Sequence, residues 1–173
     1  MTQRILVAGI GNLFLGDDGF GPEVVRRLVE PGQDPLAYDV RVVDYGIRGM
    51  HLAYDLLDGY AALVLVDALP FDGEPGEIRV LQVGPDDLGE GEIDAHGMDP
   101  VAVLASLEPL GGTLPPTFVV GCRPATVEDG IGLSDPVAAA VPAAVETVRG
   151  LVASLVEPVE PVETAEPVET GRR

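Results

Sequence analysis

Two adjacent carboxylates sit in GIGNLFLGDDGFG, residues 9–21, where a short apolar run gives way to helical spacing. The first backbone N–H groups of a helix lack intrahelical partners and the peptide dipoles add up there, so one aspartate is a natural cap. Asp17 and Asp18 together exceed that need: one is expected to cap, and the other to face solvent or hold a positive group. Asp67 raises the same question, because it ends the most apolar run of the chain, AALVLVDA. A carboxylate there is costly unless it caps the next turn, pairs or coordinates a cation. His96, in the polar loop IDAHGMDP, is either a solvated loop residue or an imidazole presented to a cleft. Combined, Asp18, Asp67 and His96 supply two carboxylates and one imidazole. That donor set suits a borderline divalent ion such as Ni²⁺ or Zn²⁺, with positions left open for water or substrate.

The other candidates read as structural. Asp44 has Arg48 close by as a ready partner for its carboxylate, within DYGIRG. His51 falls in the middle of an amphipathic helical pattern and suits a surface or packing role. Cys122, followed by Arg123, could be a nucleophile with His96 as its base, but a strand-end cysteine is more often a small buried hydrophobe. GIGNLF invites a dinucleotide reading, yet Phe14 replaces the third glycine and is expected to crowd the helix–strand contact, while two aspartates at the next turn repel a pyrophosphate. No H-E-x-x-H helix, G-x-S-x-G elbow or paired C-x-x-C occurs, and every basic residue is arginine. Zincin, serine-hydrolase, zinc-ribbon, lysine Schiff-base and P-loop chemistry therefore lack their residues.

These side chains need elements to place them. RILVAG, YDVRVVDYG, AALVLVDA, GEIRVLQV and PTFVVGCRP read as strands. Helical patterns run from about Pro22, over GMHLAYDLLDG, from about Asp99 to Leu107, and along DPVAAAVPAAVETVRGLVASLVE, whose internal proline should bend it. Alternation of strands and helices predicts an α/β fold: a single three-layer domain with a mainly parallel twisted sheet of about five strands and helices on both faces. Ligands bind such sheets at the carboxyl ends of the strands. Gly11, Asp17, Asp18, Asp44, Asp67 and Cys122 all follow or end predicted strands, so they should line one edge.

The 173 residues suit one domain, assigned to 1–156, and the 46% hydrophobic content is that of a globular chain. The remainder, 157–173, repeats EPVE and EPVET and is expected to be a disordered, dispensable tail. A net charge of −19 repels phosphate backbones and anionic lipid, which argues against nucleic-acid partners. The tail accounts for only a small part of it, so the acidity belongs to the folded body. MTQRILVAGIGN lacks the long apolar region of a signal peptide, and AALVLVDALPF is too short to span a bilayer. With a single cysteine and no membrane segment, a cytoplasmic location is expected.

ILVAGIGNLFLGDDGFGPEVVRRL, VLVDAL, DAHGMDP and VGCRPATVEDGIGLSDPVAAAV resemble the hydrogenase maturation proteases, which trim a C-terminal peptide from the large subunit of nickel–iron hydrogenases. The likeness runs from about Arg4 to Leu155, and its opening motif, G-x-G-N-x-x-x-x-D-[DE]-G-x-G, is far more specific than a generic glycine loop. In that family the second acid of the motif, the acid ending the central strand and the histidine before the later helix form a metal site. They fall on Asp18, Asp67 and His96, the three residues already singled out. The family's Asp-x-Gly after the second strand is matched by Asp44 and Gly46. Asp18 stands where many members carry Glu, and HGMDP differs from the HQ-type loop of some.

The resemblance implies a metal-dependent endopeptidase of the aspartic type that removes the C-terminal extension of a hydrogenase large-subunit precursor after nickel insertion. Nickel would arrive with the substrate, and Asp18, Asp67 and His96 would complete its coordination, making cleavage conditional on assembly. Asp17 is left as a cap or as an orienter of those ligands. Two other readings use the same residues: a non-catalytic nickel-binding assembly factor that docks on the precursor, and a nucleotide-binding module.

Overall fold

The central strands form where the chain is too apolar to face water on either side. Ile5–Ile10 (β1) is buried at every position, and Ala62–Ala68 (β3) is buried through Asp67, the pattern of strands covered on both faces. Val40–Gly46 (β2), Ile78–Val83 (β4) and Thr117–Cys122 (β5) complete one sheet in the order β2-β1-β3-β5-β4. The computed structural model describes residues 4–37, 39–88 and 100–156. β1, β2, β3 and β5 run parallel, and β4 is antiparallel to β5. That reversal follows from the connection 69–77, which holds no helix to carry the chain back for another parallel strand.

Among the described residues, four helices cover the two faces. Phe20–Leu28 (α1) and Asp135–Val156 (α4) pack on one, where Val24, Val25, Val137, Val141 and Val148 meet Val64 and Val66. Gly49–Leu56 (α2) and Pro100–Ala105 (α3) pack on the other, where Leu52, Leu56, Val103 and Leu104 meet Leu63 and Leu65. The twofold alternation of β3 divides its side chains between the two cores. The expected α/β three-layer domain is thus the observed one.

Several boundaries differ from the sequence expectation. α1 starts at Phe20, after a 3-10 turn at Gly16–Gly19 that periodicity does not reveal. α3 ends at Ala105, short of Leu107, and α4 continues as helix through the internal Pro142. Pro142 and Ala138, whose carbonyl loses its i+4 donor, both lie on the exposed side of α4, where water can satisfy the freed group. α4 is long and apolar enough to cross a bilayer by length and composition. Its Val137, Val141, Ala144, Val148 and Val152 are instead buried at helical spacing in the core of this face. The tail at 157–173 and the segment 89–99, which includes His96, lie outside the described residues.

Candidate active site

The turn after β1 is built by backbone contacts too close for side chains. A Cβ on Gly21 would strike the carbonyl oxygens of Ile10 and Val66, so α1 can lie against the ends of β1 and β3 only because that position is glycine. Gly11, at φ +146°, would drive a Cβ into the carbonyl of Asp18, and its N–H donates to Gly46 O at 3.0 Å. The turn carrying Asp17 and Asp18 is thereby folded back over Gly11 and set beside the end of β2. Phe14 does not crowd the helix–strand contact as its motif position suggested; it is 67% exposed. The inserted 3-10 turn swings it outward, and Gly21 supplies the close approach instead.

Asp17 caps neither helix of its own turn; neither the 3-10 turn nor α1 has a side-chain cap. It is fully buried and reaches across to residues more than a hundred positions later. Its Oδ1 accepts from Ser134 N–H at 2.7 Å, and its Oδ2 accepts from the Ser134 hydroxyl at 2.8 Å, Ala125 N–H at 2.8 Å and Thr126 N–H at 3.1 Å. Ser134 immediately precedes α4, so the carboxylate also sits at the positive end of that helix. Burial by itself raises the pKa of Asp17, but these donors outweigh it and hold the carboxyl below its ordinary range. Three backbone bonds reinforce the junction: Asp17 N–H to Thr126 O at 2.9 Å, Gly16 N–H to Gly130 O at 2.9 Å, and Gly130 N–H to Phe14 O at 2.8 Å. Ser134 and the 125–126 amides were missed by sequence reasoning. The Ser-Asp-Pro start of α4 is a legible helix-start signal, but nothing in it names a cap from another part of the chain.

Asp18, one residue on, is half-buried, and among the described residues only its Oδ2 is engaged, accepting from Asn12 N–H at 2.7 Å. Its 3-10 turn contacts β3, where Asp67 is 5% exposed and pairs in register with Gly121. By the alternation of β3, Asp67 lies on the α2/α3 side, with Leu63 and Leu65. The structure therefore brings the Asp18 turn and the Asp67 strand end to one edge. The third expected ligand, His96, falls outside the described residues, among which no cluster of three metal-ligating side chains occurs. What the sequence supplies toward a metal is the donor set: a half-buried carboxylate at Asp18, a buried carboxylate at the strand end of Asp67, and a histidine that precedes α3 in the chain.

The structural readings hold for the remaining residues, with one correction. Asp44 pairs in register with Gly9 at the same edge, but Arg48 does not bind its carboxylate. Arg48 Nη2 donates to the Asp44 carbonyl at 2.8 Å, and the Asp44 carboxylate accepts from Gly46 N–H at 2.8 Å. The short Asp-x-Gly turn brings that amide closer than the arginine. Cys122 is fully buried, and burial, with the nearby Asp17 charge, pushes its thiol up to about 11. It stays protonated at neutral pH and is no nucleophile. His51 is an exposed residue of α2. Beneath it the buried Tyr45 donates to Asp55 at 2.6 Å, its phenol pKa pushed up by burial and by that carboxylate.

With this geometry in view, comparisons with known proteins agree. Residues 22–150 match the hydrogenase maturation protease family. A hydrogenase maturation protease homologue of Methanocaldococcus jannaschii is 36% identical over 86% of this chain and 96% of its own. The hydrogenase expression/formation protein HupD of Rhizobium leguminosarum is 31% identical over 84% of this chain and 72% of its own. Among solved structures, the hydrogenase maturating endopeptidase HybD of E. coli superposes with a TM-score of 0.75 at 29% identity, covering 88% of this chain and 93% of HybD. The [NiFe] hydrogenase maturation protease HycI of Thermococcus kodakarensis gives 0.63 at 28% identity, covering 90% and 94%.

Proposed function

The chain belongs to the hydrogenase maturation protease family and has a maturation endopeptidase role, and from that premise we propose that it removes the C-terminal extension of a nickel–iron hydrogenase large-subunit precursor once nickel is in place. The observation that carries this reading is the contrast within the Asp17–Asp18 pair: one carboxylate is consumed by four donors, while among the described residues its neighbour keeps an oxygen uncommitted beside the strand that ends at Asp67.

In this proposal the ion is part of the substrate. Asp18, Asp67 and His96 complete the coordination of nickel already held by the precursor, so a nickel-free precursor lacks the group that these three residues grip. A divalent ion at that place polarises the scissile carbonyl or acidifies a bound water, which serves in place of a serine or cysteine nucleophile. This division of labour is consistent with a buried, protonated Cys122. Asp17 takes no part in the chemistry; it holds the turn from which Asp18 projects. The reaction is placed in the cytoplasm, the location expected from the sequence.

The test is to incubate the purified protein with nickel-loaded and nickel-free precursor and weigh the products. Loss of the C-terminal peptide from the nickel-loaded precursor alone is expected. Binding without any change of mass would sink the protease reading, and equal cleavage of both precursors would sink the nickel gate.

A further inference from the structure

β2 is an edge strand, and among the described residues no strand pairs with its outer side. Ile5 N–H donates to Asp39 O, and in a parallel ladder alternate residues face the partner strand. The odd-numbered residues of β2 therefore bond to β1, and the even-numbered ones turn their backbone groups away. Val40 N–H turns back to Ala37 O at 3.1 Å, and the Asp44 carbonyl is taken by Arg48. Among the described residues, no bond reaches the outward N–H and C=O of Val42 or the outward N–H of Asp44. Natural edges are usually blunted by lysine, proline or charge on the strand. Here the charges of the strand lie at Arg41 and Asp44, and Val42 and Val43 between them carry none.

Both flanks of this edge are concave. On the α1 side a groove of about 430 Å³ is bordered by Leu28, Val29, Leu36, Val40 and Val42. On the α2 side one of about 410 Å³ is bordered by Arg41, Val43, Tyr45, Arg48, His51 and Tyr54. Successive β2 residues thus line opposite grooves, the arrangement that receives the alternating side chains of an added strand. The edge also leads to the site: it ends at Asp44 and Gly46, and the Gly46 carbonyl is bonded to Gly11, over which the Asp18 turn is folded. The opposite edge, β4, is separated from β1 by β5 and β3. In a chain of net charge −19, the α2-side groove brings two arginines and a histidine against one carboxylate, Asp55.

We propose that β2 receives the extended C-terminal segment of the precursor by strand addition, bonding through Val42 and Asp44 and placing an acidic side chain against Arg48. This deepens the maturation reading and rests on it. Arg48 suits the role because two of its nitrogens are held by the Asp44 and Tyr45 carbonyls, which leaves the third aimed from a fixed guanidinium.

Amide exchange of the full-length Asp67→Asn protein, with and without nickel-loaded precursor, tests the proposal directly. Exchange at Val42 and Asp44 should slow on complex formation, while Arg41 and Val43, already in the ladder, should not change. A complex that forms with no slowing at Val42 and Asp44 overturns the proposal. So does protection that is already present in the free chain and vanishes when 157–173 is deleted, because the tail is then the occupant. In wild-type background, Val42→Pro removes an outward N–H without touching the β1 ladder. It should raise KM for the precursor about tenfold, the equivalent of one lost hydrogen bond, with kcat unchanged. Arg48→Glu leaves the backbone intact and should also raise KM, with Arg48→Lys restoring most of it; wild-type KM in both Val42→Pro and Arg48→Glu overturns the proposal. Failure of the wild-type protein to process the precursor at all would instead strike the maturation reading, so the two failures are distinct.

Discussion

Asp17 and Asp18 are neighbours in the chain and opposites in the fold. The junction around Asp17 is closed: a fully buried carboxylate takes four hydrogen bonds from the 125–134 segment. The turn at Asp18 is more open: among the described residues Asp18 is half-buried and accepts one hydrogen bond, from its own turn. Identical side chains have become a staple and a candidate ligand. The difference lies in how many backbone N–H groups the tertiary fold aims at each. A carboxylate with its lone pairs filled stabilises the fold, whereas one with lone pairs to spare can accept a cation.

The sharpest way to break this contrast is to exchange the consequences. Asp67→Ala or Asp18→Ala should abolish processing of nickel-loaded precursor, a loss beyond the roughly 10- to 100-fold caused by removing residues that only orient ligands. The melting temperature of Asp18→Ala should hardly move. Processing of precursor by Asp67→Ala at the normal rate would end the assignment.

Asp17→Asn should do the reverse. It costs about 3 kcal/mol, because the replacement amide turns a donor toward donors in a buried site. The melting temperature should fall by roughly 10 °C, while protein that remains folded keeps its cleavage activity. A variant that melts normally but cannot cleave would place Asp17 in the chemistry.

Acid titration sharpens the same point. The carboxyl of Asp17 is lowered in the folded state, so its contribution is complete above the ordinary carboxylate pKa and disappears as pH falls through the lowered value. Thermal melts of the wild type should therefore lose stability on acidification below about pH 4, and Asp17→Asn should show a shallower loss over the same range. Parallel curves would contradict the staple.

The smallest effect is expected at Cys122. With its thiol pushed up to about 11, it should resist alkylation at pH 8 in the native protein and react only on unfolding. Cys122→Ala should process precursor normally, at a stability cost of about 1 kcal/mol for the lost core volume. Rapid native alkylation would show that the junction is less closed than the structure has it.

Much of this protein was legible in its residues. β1 and β3 announce themselves as continuous apolar runs, because a strand covered on both faces has no polar side to display. Asp67 stood out because a carboxylate after six apolar residues needs a reason. The opening motif carried the family likeness. Less was visible at Gly16–Gly19, where a single 3-10 turn is too short to set up a periodicity. Phe14 was misjudged for the same cause: the motif spacing assumes that the helix starts at once. Arg48 was assigned to the nearest carboxylate by proximity in sequence, whereas the Asp-x-Gly turn had already satisfied it.

Local pattern, then, determined the strands, the helices, the layer order and the edge at which Asp18, Asp44 and Asp67 end up, since hydrophobic periodicity and parallel crossovers leave little choice. Which of two adjacent aspartates is spent on structure was decided only in three dimensions. Its donors come from Ala125, Thr126 and Ser134, and no rule of spacing links positions that far apart until the sheet has brought them together.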